Sequence, residues 1–491
     1  MLKQPGPAAA ALPCGVALAV TALVYWPITQ VFFHFDDFLN LYNAVNMPTG
    51  AFISQMFGSH LLLVPNAIFL LLHALVGPRA EPFMWLMLAT HLVNVGLLFS
   101  VARRLTQWRW IASGAAIAWG TLPLHGAALG WYSVYGQVVC VTLFLWALLR
   151  ILRSAKGPTP SGAATALTGL LVIAAGASFG IGLGFAVALP LVAFLILPPS
   201  PARRRMVLGL TAALLASGVL YRGVEWIHAD SGALDIASAV RGNMKSPQIA
   251  ANMLLLLAST GIIAIVVDGF FSAALSQGWI AWGALASAGV VCLGGMASRA
   301  RTVVALVLLS LAAYAPIAAG RGMFAWTLGA AWLAAQGRYQ YGATIGFVLA
   351  LALSLSAVLG RVNPPQRVSR ALFIGWLGLL LTAHWFVTAP IDRFDGQRRA
   401  VATALSAMRA KVAAAPPHAA VFIENHRFPI SVLPGIERGF PGLAAVFVIF
   451  ADADVHAGRR VYFIEPDPEI RAESDGGLRS DGLLIAPEDV P

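Results

Sequence analysis

Charge is what this sequence has least of. Of its 491 residues only 11% are charged and 59% are hydrophobic, whereas a soluble domain carries about 25% charged residues. A soluble interior has no room for so much apolar surface, so most of the chain is expected to lie in lipid. Acidic residues are scarcer still before Pro390, where only 7 of the 21 Asp and Glu lie, with 14 after it. Cysteine is nearly absent. Cys14, Cys140 and Cys292 each sit in an apolar run without CxxC or Cys/His spacing, which leaves out a disulfide framework and a zinc centre. There are no internal repeats. The glycine pattern FGIGLG at 179–184 is not a nucleotide loop, because no strand precedes it and it falls at a turn between apolar runs. The net charge of +11 does not indicate nucleic acid, because most basic residues sort by membrane side.

What is there is a succession of apolar runs. Eleven read as spans: residues 9–31, 83–102, 110–126, 131–152, 162–178, 181–197, 206–221, 279–298, 302–320, 339–360 and 371–389. The first is expected to be an uncleaved helix rather than a signal peptide, since its apolar run has no polar cleavage region. The run 61–77 is short and interrupted by Pro65 and His73, and reads as a re-entrant or interfacial helix. Run 249–267 is ambiguous, and positive charge decides it. With both runs non-crossing, Arg103/Arg104/Arg109, Arg150/Arg153/Lys156, Arg203/Arg204/Arg205, Arg299/Arg301 and Arg361/Arg367/Arg370 share one side with Lys3. That side then holds 15 Lys and Arg and no acid, the pattern of a cytoplasmic face. The amino terminus is expected in the cytoplasm and the carboxyl tail outside a bacterial-type inner membrane.

Two domains are expected, 1–390 in the membrane with an acidic first external loop at 32–82, and 391–491 outside it. In the second, 392–413 reads as an amphipathic helix. HAAVFIEN (418–425) and RRVYFIEP (459–466) read as strands flanking a helix at 441–451, and 469–491 reads as partly loose. The fold class is an all-α polytopic membrane protein with about eleven transmembrane helices and a small α/β extracytoplasmic domain.

Asp36 and Asp37 are the only adjacent carboxylates in the membrane domain. Two ionised groups at an apolar boundary need water, a cation or a substrate. They read as a boundary marker or as a catalytic base with a neighbour that tunes it. Two acids also offer two ligands to a divalent metal, without a convincing third, so metal dependence stays open and no other cofactor is assigned. His125, after Pro123, reads as packing or substrate contact. Trp131, Tyr132, Tyr339 and Tyr341 lie at the outer level, as an interfacial belt or a sugar platform. His60, Asn66, His91 and Asn94 are expected to bond between helices. Asp268 is an isolated acid, and Glu424, Asn425 and His426 mark a strand end.

HFDDFLNL resembles the paired-acid motif in the first external loop of GT-C superfamily glycosyltransferases. Gly77 with the stretch 83–105 is similar to the second-span region of the protein O-mannosyltransferase branch. The "P-x-H, then aromatic-x-S" pattern at 122–149 resembles the transmembrane-and-tetratricopeptide-repeat branch, as does GRYQYGATIGF at 337–347. The tetratricopeptide repeats are absent, and Gly342 and Ala343–Thr344 stand where that branch has Pro and Ser. Four motifs in order across about residues 15–360 imply a hexosyltransferase-like membrane enzyme of the cell envelope. It would use a polyprenyl-phosphate-linked sugar donor and a glycan, lipid or protein acceptor on the outer face. Asp36 and Asp37 would be catalytic. Arg338, Arg321, Tyr339, Tyr341, His125, Trp131 and His60 would bind substrate, with Arg338 the foremost cation for the leaving phosphate. Partners would be the donor, the acceptor and membrane lipids, and not nucleic acid. A lipid-linked glycan transporter or a non-catalytic scaffold is the competing class. The former more often shows polar groups deep in several spans or repeated halves.

Overall fold

The computed structural model describes residues 7–33, 36–57, 60–155, 160–228, 247–267 and 278–362, isolated positions between 402 and 414, and three strands near the carboxyl end. Helix α1 (Pro7–Tyr25) runs into a 3-10 turn and then the first loop. That loop holds α2 (Asp36–Asn46), α3 (Thr49–Ser54), a two-residue hairpin of β1 (Met56–Phe57) and β2 (His60–Leu61), and α4 (Leu63–Val76). Next come α5 (Ala80–Thr106), α6 (Arg109–Gly120), the short α7 (Gly126–Leu129), α8 (Tyr135–Ser154), α9 (Gly162–Gly176), α10 (Ile181–Ile196) and α11 (Pro201–Ile227). After these lie α12 (Pro247–Val267), α13 (Gly278–Ala335), α14 (Gln340–Ala343) and α15 (Ile345–Val362).

Local sequence explains several boundaries. The Ser161 hydroxyl accepts from the Ala164 amide at the start of α9, and Ser200 accepts from Arg203 before Pro201 opens α11. Both follow the usual chemistry of a helix start. α4 stops at Gly77, whose φ of +68° suits a residue without a Cβ.

Five described helices are long and apolar enough to cross a membrane, or six if the bent pair Gly337–Ala343 and Ile345–Arg361, broken by 53°, is one span. The chain is a multi-pass membrane protein, but these residues do not give the expected eleven spans. Runs 110–126, 162–178 and 181–197 form helices of 12, 15 and 16 residues. At 1.5 Å per residue these reach only ~18–24 Å, short of a ~30 Å hydrocarbon core. Runs 279–298 and 302–320 belong to one helix, α13, of 58 residues, so the turn expected at Arg299/Arg301 is helical. Run 371–389 lies outside the described residues. Runs 61–77 and 249–267, expected not to cross, form α4 of 14 residues and α12 of 21 residues. α12 packs along α13, burying Met253, Leu257 and Ala264.

The bundle core is one continuous apolar cluster from α1 to α15. Its tightest contacts need the absence of a side chain. A Cβ on Gly184 of α10 would lie 2.1 Å from the Ala312 carbonyl oxygen of α13. Near the carboxyl end, β3 (Ala420–Glu424) pairs in parallel with β4 (Arg460–Ile464) on one side and β5 (Gly482–Ile485) on the other. The first two strands stand where the alternation predicts them. β5 lies within 469–491, a stretch expected to be partly loose; its motif GLLI is apolar but too short to stand out among Gly, Asp and Pro. The helices expected at 392–413 and 441–451 lie outside the described residues, apart from isolated positions in the first.

Gly184→Val should separate α10 from α13. Overpacking a close contact costs about 1–3 kcal/mol, so the melting temperature of the purified protein in detergent should fall measurably. An unchanged melting temperature would mean the two helices do not meet as closely as described.

Candidate active site

The first loop and the α6–α8 hairpin are joined through a buried carboxylate. Asp37, at the start of α2, is fully buried. Its Oδ1 accepts two hydrogen bonds from Ser133, one from the backbone N–H and one from the hydroxyl, each 2.6 Å long. The Ser133 oxygen in turn accepts from Asn40 Nδ2 at 3.0 Å. Two short bonds to one oxygen hold the carboxylate in place where water is excluded. Asp37 is thereby fixed.

Asp36 has a different environment. It is half-buried. Burial first, and then the neighbouring Asp37 charge, push its carboxyl up to about 7, while Arg338 and Arg321 pull the other way. A carboxyl poised near neutrality exchanges a proton readily at physiological pH. The two acids are therefore unequal, one held and one free to titrate. His60 lies within the field of the same two arginines. Burial, then Arg321, then Arg338, lower its pKa to about 3, so it is neutral. Its ring stacks on Phe179 at 4.0 Å.

Arg338 is presented by the 3-10 turn Gly337–Tyr339. Its guanidinium carbon sits 4.8 Å from the Trp131 ring centre and 5.3 Å from that of Tyr339. These aromatic faces hold the cation without neutralising it. The turn docks on the hairpin closely: a Cβ on Gly337 would lie 2.5 Å from the Leu124 carbonyl oxygen. Gln137 Nε2 donates to the Arg338 carbonyl oxygen at 2.8 Å. Gly337 and Gln137 thus set where Arg338 stands.

Below the turn lies a polar knot. His91 Nε2 donates to the Gly120 carbonyl oxygen at 2.8 Å, which leaves Nδ1 to accept from the Tyr341 hydroxyl at 2.8 Å. Asn94 Nδ2 donates to the same hydroxyl at 3.1 Å, and Trp119 Nε1 to the Tyr341 carbonyl oxygen at 3.0 Å. The Asn94 carbonyl oxygen accepts from Thr142 at 2.7 Å. This ties α5, α6, α8 and α14 together at one point.

The expected site residues therefore divide. Asp36, Asp37, Arg321, Arg338 and His60 share one electrostatic neighbourhood, with Trp131 and Tyr339 against Arg338. Tyr341, expected at the outer level facing a sugar, is instead fully buried with its hydroxyl committed to His91 and Asn94. His125 is also fully buried, its ring 4.7 Å from Tyr341 and 4.9 Å from Trp119. Both ring nitrogens of His125 are buried without a hydrogen-bond partner among the described residues. His91 and Asn94 make the interhelical bonds expected of them, and Asn66 donates to the Phe52 carbonyl oxygen at 3.0 Å. Asp268, Asn425 and His426 lie outside the described residues; Glu424 ends β3. Among the described residues no group of three His, Cys, Asp or Glu gathers in a way that would hold a metal ion. Asn40 and Gln137 had no assigned role in the sequence, and Ser133 stood there only as the serine of the aromatic-x-S pattern.

No family profile matches the sequence, and no curated protein matches it. A solved structure that matches is ArnT from Cupriavidus metallidurans bound to undecaprenyl phosphate. It shares 14% identity, with 98% of this chain and 90% of that chain covered, at a TM-score of 0.36. No conclusion rests on that likeness.

The raised Asp36 carboxyl gives a pH dependence of known sign. Unfolded, Asp36 titrates near 3.9; folded, near 7. Between these values the folded state holds the extra proton, so this residue's contribution to stability falls as pH rises from about 4 to about 7 and is then level. Melting temperatures between about pH 5 and 7 should therefore decline more steeply for wild type than for Asp36→Asn. Parallel curves would place the Asp36 carboxyl in the ordinary range.

Proposed function

We propose that this chain is a GT-C-like membrane glycosyltransferase, moving a sugar from a polyprenyl-phosphate-linked donor to an acceptor hydroxyl. The observation that carries this reading is the placement of Asp36, a carboxyl raised to about 7, in the field of Arg338 and Arg321. A transfer of this kind needs a base where a hydroxyl loses its proton and positive charge where a phosphate leaves. The four motifs resembling GT-C members support the same reading.

In the proposed reaction the acceptor oxygen forms a bond to the anomeric carbon and its proton passes to the Asp36 carboxylate. The bond from that carbon to the phosphate oxygen breaks, and polyprenyl phosphate leaves with the electron pair. Arg338 and Arg321 offset the negative charge that gathers on its oxygens. Asp37, held by Ser133, positions α2 and keeps a negative neighbour beside Asp36. Trp131 and Tyr339 keep the Arg338 guanidinium in place. The site would face the outer side of a bacterial-type cytoplasmic membrane, with the amino terminus in the cytoplasm and residues 391–491 as an extracytoplasmic domain that orients the acceptor.

Transfer of radiolabelled sugar from a panel of polyprenyl-phosphate sugars tests this in membranes holding matched amounts of each protein. Asp36→Asn should lose about 10²–10⁴-fold in rate, the usual contribution of a general base. Asp37→Asn should lose less, and Arg338→Gln should also slow transfer. If no donor is consumed, or Asp36→Asn matches wild type, a transporter or scaffold replaces the enzyme.

A further inference from the structure

The two cations near Asp36 stand on different elements. Arg338 has its own anchors on the α6–α8 hairpin, in Trp131, in Gln137 and in the Leu124 surface under Gly337. Arg321 ends the apolar span Arg299–Arg321, which belongs to α13. Both arginines nevertheless act on Asp36 and on His60. The end of that span must therefore be held close to the Arg338 turn.

One buried bond is placed to do this. The Tyr314 hydroxyl of α13 donates to Gln340 Oε1, joining residues 26 apart in sequence. Tyr314 lies two helical turns before Arg321 and on the same helix face. Gln340 opens α14, two residues after Arg338. Tyr314 and Gln340 are each exposed by 1% or less. α12 closes over the pair. A Cβ on Gly261 would lie 2.8 Å from Gln340 Oε1 and closer still to the Tyr314 hydroxyl. Gln340 Nε2 also donates to the Leu257 carbonyl oxygen of α12 at 3.5 Å. One turn before Tyr314, the Ser310 hydroxyl oxygen accepts from the Phe347 amide of α15 at 2.9 Å. A hydroxyl and a carboxamide enclosed in this way have no water to replace each other.

We propose that Tyr314 and Gln340 are a positioning pair, whose bond sets Arg321 beside Arg338 and so makes one phosphate site from two separately anchored cations. The phosphate rests on the transferase reading; the placement of Arg321 does not. Tyr314 touches neither donor nor acceptor and acts through Arg321.

Asp36 reports on this placement without any donor. Its carboxyl is faced by Asp37, Arg338 and Arg321, and moving a cation away makes the proton harder to lose. Infrared titration of the full-length protein in lipid nanodiscs reads the midpoint. Arg321→Gln should move it above about 7. Tyr314→Phe and Gln340→Met should each move it in the same direction, by no more than Arg321→Gln does. Tyr314→Phe should add nothing in an Arg321→Gln background and should keep its effect in an Arg338→Gln background. A general loosening of the bundle would act in both. Should Tyr314→Phe fold poorly, Gln340→Met in the same backgrounds gives the same reading. A wild-type midpoint in both single variants, or a shift that persists without Arg321, overturns the proposal. Equilibrium binding of polyprenyl phosphate is the second measurement. Arg321→Gln should weaken it about tenfold, the loss of one charge-assisted bond, and Tyr314→Phe by up to that factor. A shifted midpoint with equal binding in all variants overturns the phosphate site, and with it the transferase reading, but not the pairing.

Discussion

A carboxylate that loses its water must be given hydrogen bonds in exchange, and at Asp37 one residue supplies two of them. Ser133 reaches Asp37 Oδ1 with its N–H and its hydroxyl. That pair of bonds joins the loop after α1 to the hairpin between α6 and α8, residues 96 apart in sequence. With Asp37 held, Asp36 is left at the open end of α2. Its carboxyl is raised by burial and by the charge beside it, and opposed by Arg338 and Arg321. The same hairpin gives Trp131 to Arg338 and the Leu124 surface to Gly337. One short segment, residues 122–133, therefore sets the acids and the cation relative to each other.

The support beneath is polar as well. His91, Asn94, Trp119 and Tyr341 satisfy each other inside the bundle, where an unmade hydrogen bond costs about 1–3 kcal/mol. Four helices meet at Tyr341. A short motif read in sequence as two tyrosines at one level thus splits in function. Tyr339 stays beside Arg338, and Tyr341, two residues on, turns inward and anchors the turn.

Much of this was legible in sequence. Composition reveals the membrane, and adjacent acids in a chain so poor in acid point to Asp36 and Asp37. The alternation in HAAVFIEN and RRVYFIEP predicts β3 and β4. Three things were not legible. Hydropathy counts apolar runs but not helix lengths, so it does not reveal that the runs folding as α6, α9 and α10 form helices of 12, 15 and 16 residues. A positive cluster such as Arg299/Arg301 marks a membrane side only if the chain turns there, and α13 continues through it. The inequality of Asp36 and Asp37 depends on Ser133, far away in sequence, which no local pattern identifies as a partner.

The central claim is that the neighbouring acids differ, Asp37 pinned by Ser133 and Asp36 carrying the proton that moves. Infrared difference spectra of the purified protein across a pH titration measure this directly, through the band of a protonated carboxyl. The account predicts a band that disappears with a midpoint at about 7, is absent in Asp36→Asn, and shifts to lower pH in Asp37→Asn, where the charge that raised it is gone. A band that survives Asp36→Asn and vanishes in Asp37→Asn would assign the proton to the wrong acid and contradict the account.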